Sequence, residues 1–99
     1  MPDYIKNREG YYHKGNSIKL KCKFRDYNNE LVNPTSVYLT IYDLNGRILE
    51  ENNVTNNKGG YEYFFVFTPD DETIYVYEWR GVISGVVSLR RKKLEVRFV

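Results

Sequence analysis

Alanine is absent from the sequence, proline occurs three times, and cysteine, histidine and tryptophan occur once each. A lone Cys22 excludes a disulfide within the chain and fits synthesis in a reducing compartment, where thiols stay unpaired. One histidine and one cysteine also exclude a zinc site, which draws most of its ligands from those two residue types. His13 has no serine or cysteine nucleophile beside it, so a Ser-His-Asp or Cys-His arrangement has no support. The chain is therefore expected not to be an enzyme, and to need no cofactor and no metal. Asp70, Asp71 and Glu72 form the densest acidic group, but they follow Pro69 and lack the glycine and spaced carboxylates of a calcium loop. They read as turn chemistry.

No sign of charge dominates: Lys and Arg number 15 against 13 Asp and Glu, a net charge of +2. Charge alone therefore points neither to nucleic acid nor to an acidic partner. No apolar run approaches the length of a transmembrane helix, and "MPDYIKNREGYYHKGNS" carries no basic-then-apolar signal peptide. The expectation is a protein made in the cytoplasm, without membrane attachment. No stretch sustains helical periodicity either. The chain's 99 residues make one domain, enough to bury roughly 65% of the surface exposed on unfolding without staples.

What the sequence does have is ten tyrosines and five phenylalanines, residues that fit a pleated and half-buried surface. "SIKLKCKFR" alternates without error, placing Ile18, Leu20, Cys22 and Phe24 inward and Lys19, Lys21, Lys23 and Arg25 outward. "DYNNELVNP" is turn chemistry. "SVYLTIYD" then sets Val37, Leu39 and Ile41 against Tyr38, Thr40 and Tyr42, before Asn45-Gly46 closes a hairpin into a short strand, "RILEE". "NNVTNNKGG" reads as a polar loop, and its Asn-Val-Thr triplet is assigned no role. "GGYEYFFVFTPDDETIYVYEWRG" reads as two strands around a turn, with Tyr61, Tyr63, Phe65 and Phe67 entering the core and Phe64 and Val66 pointing away from it. Gly85 marks a turn or bulge in "VISGVVSLRRKK", where register is not fixed, and Leu94, Val96 and Phe98 form the inward set of a last strand. About seven short strands with turn signals every 8 to 12 residues or so predict an all-β, two-sheet antiparallel sandwich. Residues 1–14 are expected to form an arm or first short strand, and residues 15–99 the sandwich.

"DETIYVY" resembles the D-x-A-x-Y-x-C signature of immunoglobulin strand F, with Asp71, Thr73, Tyr75 and Tyr77 on those positions. The resemblance implies that Tyr75 is a corner tyrosine whose hydroxyl bonds back to the backbone just upstream, and that Cys22 stands where strand B carries its disulfide cysteine. Tyr77 replaces the second cysteine and Trp79 lies on strand F instead of strand C, which leaves an immunoglobulin-like Greek-key sandwich without its inter-sheet disulfide. Cys22 is then a buried apolar filler, and Cys22, Tyr75, Tyr77 and Trp79 are structural.

The order G-N-S-I-x-L-x-C-x-F-x-D, L-V-x-P-x-x-V-x-L-x-I-x-D-x-x-G, G-x-Y-x-Y-x-F-x-F-T-P and Y-x-Y-E-W-R-G, ending on F-V, resembles a wider group. These are the small stand-alone immunoglobulin-like proteins encoded among head and tail genes of tailed phages, prophages and archaeal tailed viruses. The likeness covers residues 15–99. It implies a non-enzymatic virion component that decorates the capsid or sits near the head–tail junction, with other virion proteins or itself as partner. The surface expected to meet that partner comprises Phe64, Val66, Tyr11 and Tyr12.

Two other surfaces compete. Lysines alternating on one strand face, Lys19, Lys21 and Lys23 with Arg25, stand about 6.8 Å apart, close to the phosphate repeat of a single nucleic-acid strand. A solvated face that deters edge-to-edge aggregation ranks ahead of that reading. Tyr38 and Tyr42, about 13 Å apart on an outward face, offer a platform for a sugar, making a carbohydrate-binding or adhesive module the other alternative; outward tyrosines are common without such a role.

Overall fold

In a computed structural model, residues 12–13, 17–70 and 73–97 are described, the first pair by backbone alone. The strands are β1 (Tyr12–His13), β2 (Ile18–Arg25), β3 (Leu31–Val32), β4 (Ser36–Tyr42), β5 (Ile48–Asn53), β6 (Lys58–Gly59), β7 (Glu62–Phe67), β8 (Ile74–Ile83) and β9 (Val86–Arg97). They form two sheets, ordered β1-β9-β8-β4-β5 and β3-β2-β7-β6. Every pairing is antiparallel except β1 with β9. Nine strands among the described residues replace the expected seven or so, because β1, β3 and β6 are two-residue pieces that show no periodicity of their own.

Alternation decides which groups meet between the sheets. On the four-stranded sheet, Ile18 pairs with Phe67, Leu20 with Phe65 and Cys22 with Tyr63. On the other, Leu39 pairs with Trp79, Val37 with Gly81 and Tyr75 with Leu94. Ile18, Phe24, Val37, Leu39 and Tyr63 are fully buried, and Leu20, Ile41, Trp79 and Val96 nearly so. Two edge-to-face ring pairs, Phe24 with Tyr63 at 5.8 Å and Phe67 with Tyr75 at 5.3 Å, add directional packing to this core. Phe24 lies so close to Gly81 that a Cβ there would stand 2.6 Å from its ring.

Several expectations are corrected. Tyr61 is not core: it sits with Gly60 (φ 65°) in the two-residue turn between β6 and β7 and is 45% exposed. "NNVTNNKGG" is not simply a polar loop, because Val54 is 1% exposed and Lys58–Gly59 pairs with β7. Val54 is drawn in by its backbone N–H donating to the Val37 carbonyl, at 2.9 Å. Thr55 donates to the Asn53 side-chain oxygen at 2.7 Å, so the triplet's polar groups shape a turn. Cys22 is half-buried, not a fully buried filler, and Phe65 is likewise half-buried against the core.

β8 and β9 form one long hairpin through Ser84 (φ 50°) and Gly85 (φ 79°), the positive pair required by a tight type I′ connection. The last strand thus starts at Val86, and Leu94 and Val96 are its buried inward residues; Phe98 lies outside the described residues. The described part of segment 1–14 contributes β1, with Tyr12 opposite Val96.

Candidate functional site

The register of β2 against β7 puts Lys19 opposite Val66, Lys21 opposite Phe64 and Lys23 opposite Glu62. Directly opposed residues share a face. The lysine row and the apolar pair, which the sequence offers as separate candidates, are therefore one surface: the outer face of the four-stranded sheet. Val66 is 43% exposed, whereas Phe64 is half-buried. Part of its cover is Lys19, whose Nζ lies 4.8 Å from the ring centroid, a cation–π contact that leaves the charged head in water. Tyr11 lies outside the described residues, and Tyr12 is placed by β1 beside β9, on the other sheet from Phe64 and Val66.

At the rim of this face, Lys21, Lys23 and Arg25 also border a cleft of about 310 Å³ between the two sheets, where β9 contributes Arg90 and Lys92. Cys22 and Trp79 form its inner wall. Burial pushes the Cys22 thiol up from its ordinary value, and the nearby charges of Arg90 and Lys92 oppose that push. Cys22 is a free thiol.

Tyr38 and Tyr42 lie on the outer face of the five-stranded sheet, both half-buried, with Thr40 between them only 6% exposed. The Tyr42 hydroxyl donates to Glu78 Oε1 at 3.3 Å. Arg91 Nε donates to Glu78 Oε2 at 3.0 Å, forming an ion pair in which Glu78 is the buried member at 8% exposure. Tyr42, Glu78 and Arg91 thus form a polar triad on this face, with Tyr42 and Arg91 also lining a cleft of about 320 Å³ beside Val76 and the β4–β5 turn. The triad was not recognised from the sequence; its signal was an acid, Glu78, on the outward phase of an otherwise aromatic strand, but its partner depends on a register that "SGVVSLRRKK" does not reveal.

Tyr75 is 5% exposed and packs on Phe67, and the upstream residues 71–72 to which a corner hydroxyl would turn lie outside those described. Tyr77 is half-buried against the core. Trp79 is 2% exposed, and its indole Nε1 has no hydrogen-bond partner among the described residues. The described residues hold no group of three or more His, Cys, Asp or Glu that could bind a metal, and no helix long and apolar enough to cross a membrane.

Burial also raises the Tyr63 phenol, and burial followed by the Glu78 charge raises that of Tyr42. With Cys22, three acids then hold their protons more tightly folded than unfolded, so stability falls as pH rises. All three groups stay protonated in both states until the ordinary thiol and phenol range of about pH 8.5–10 is reached. Stability should decline from there towards the higher folded values. Urea midpoints measured from about pH 7 to 11 should show that decline; a flat or rising midpoint would contradict the burial of these groups.

No family model, no curated protein and no solved structure matches the chain.

Proposed function

We propose that the chain is a non-enzymatic immunoglobulin-like sandwich that works by docking onto another protein, as an accessory or structural component of a tailed-virus particle. Capsid decoration or a place near the head–tail junction suits a small single-domain protein of this kind. The order β9-β8-β4-β5 corresponds to G-F-C-C′ of a variable-type sandwich and the pair β2-β7 to B-E, which supports the immunoglobulin-like reading. The virion role rests on the sequence resemblance across residues 15–99.

The observation that carries the docking reading is the mixed outer face of the four-stranded sheet. Its apolar pair, Phe64 and Val66, is bordered along β2 by Lys19, Lys21 and Lys23, so apolar and charged groups adjoin on one face as they do where an interface core meets its rim. Because Phe64 is already half-buried and Val66 is 43% exposed, covering what remains of them contributes less than the ~3–6 kcal/mol of a fully exposed Phe and Val, before association costs. The lysine rim favours a partner surface that carries carboxylates. The sugar-platform alternative has less ring face to offer than a pair of exposed tyrosines, since Tyr38 and Tyr42 are both half-buried.

The test is the double change Phe64→Ser and Val66→Ser. The isolated variant should stay folded by circular dichroism but fail to enter particles assembled in its presence. Normal incorporation would show that no partner binds there, and loss of folding would show that the pair is core.

A further inference from the structure

The described residues leave β2 paired with β7 on one side but with β3 only at Phe24 and Arg25 on the other, and β9 paired with β1 only at Val96 and Arg97. The cleft between the sheets is lined along these two strands. Arg90 and Lys92 share the inward face of β9 with Leu94, being paired with Trp79 and Tyr77, yet they stay exposed. The opposite sheet does not cover them. With Lys21, Lys23 and Arg25 they put five cations around one cleft against a single carboxylate, Glu62.

Five like charges around about 310 Å³ repel one another, and all five side chains are exposed, with only Arg25 giving a donor to the backbone, Nη1 to the Asn29 carbonyl at 2.9 Å. One monocarboxylate cannot neutralise them. A phosphoryl group can do more, because it concentrates up to two negative charges and three acceptor oxygens in one small tetrahedron, and two arginines offer planar donor forks that match its edges.

We propose that this cleft is a phosphoryl-binding site, with Arg25, Arg90, Lys21, Lys23 and Lys92 as its cationic donors. The proposal shares Lys21 and Lys23 with the docking face but does not rest on the docking reading, since Arg90, Lys92 and Arg25 belong to the cleft and not to the Phe64 and Val66 patch. Its ligand is either a free phosphoryl compound or the backbone of a nucleic-acid strand, and the same site chemistry serves both.

Trp79 is the chain's single tryptophan, so its fluorescence reports directly on the cleft, and alkylation of Cys22 gives a second readout. Pyrophosphate should change the fluorescence or slow the alkylation saturably, and the effect should weaken as salt is raised. The double change Arg90→Gln and Lys92→Gln should weaken binding by about tenfold or more, while Lys93→Gln, on the opposite face of β9, should leave it unchanged. These side chains are exposed, and thermal melts of the variants should match the parent. Oligothymidylate binding more tightly than pyrophosphate identifies a nucleic-acid strand as the source, and binding no tighter identifies a free phosphoryl compound. Absence of a saturable response in both readouts, equal loss in Lys93→Gln, or equal binding of citrate would overturn the proposal.

Discussion

Alanine in place of Gly81 should destabilise the protein by about 1–3 kcal/mol, an unusually large effect for adding one methyl group. Gly81 lies on the inward phase of β8 opposite Val37, with Phe24 of the facing sheet against its backbone. A Cβ would stand 2.6 Å from Phe24 Cε1 and 2.9 Å from Cδ1, closer than carbon atoms approach. Phe24 is fully buried and packed edge-on to Tyr63, so the ring has no free space into which to retreat. The sheets must separate locally or the ring must leave its rotamer, and either loses contacts. Combining Gly81→Ala with Phe24→Leu should cost less than the sum of the single changes, because the smaller side chain makes room for the methyl. A Gly81→Ala protein that melts like the parent would show that the sheets are not this close.

Leu20→Ala should cost about 2–5 kcal/mol, the range for a large-to-small change in a packed core. Leu20 is 4% exposed, lies opposite Phe65 and sits in the middle of β2, where collapse around the cavity is resisted from both sides. Its neighbour Lys21 is exposed, and Lys21→Ala should change stability by no more than about 0.5 kcal/mol. Chemical denaturation of the pair measures the contrast. Equal effects would contradict the inside–outside assignment of the strand.

That assignment was legible in the sequence because β4 has one face fully in the core and β2 has one face there except at half-buried Cys22. Ile18, Leu20 and Phe24, and Val37, Leu39 and Ile41, alternate with groups that face outward, and the structure buries all six. The same rule failed on β9 because the facing sheet covers only part of it. Leu94 and Val96 are buried, whereas Arg90 and Lys92 on the same inward phase are exposed at an open cleft. Periodicity reports a covered face, so a strand covered over only part of its length gives a broken signal. Val54 was missed for a different reason: it stands alone among polar neighbours, and its burial follows from a backbone hydrogen bond to Val37, not from a pattern. Phe64 and Val66 were correctly read as pointing away from the core. Their union with the lysine row needed the β2–β7 register, which joins residues 39 to 49 positions apart in the chain.

The central claim is that the outer face of the four-stranded sheet is the working surface. Its most direct test is lysine acylation followed by mass spectrometry, comparing the free chain with purified particles that carry it. Lys19, Lys21 and Lys23 should react in the free protein and be protected in the particle, while Lys93, on the outer face of the other sheet, should react in both. Equal labelling of all four in both states, or absence of the chain from particles, would contradict the account.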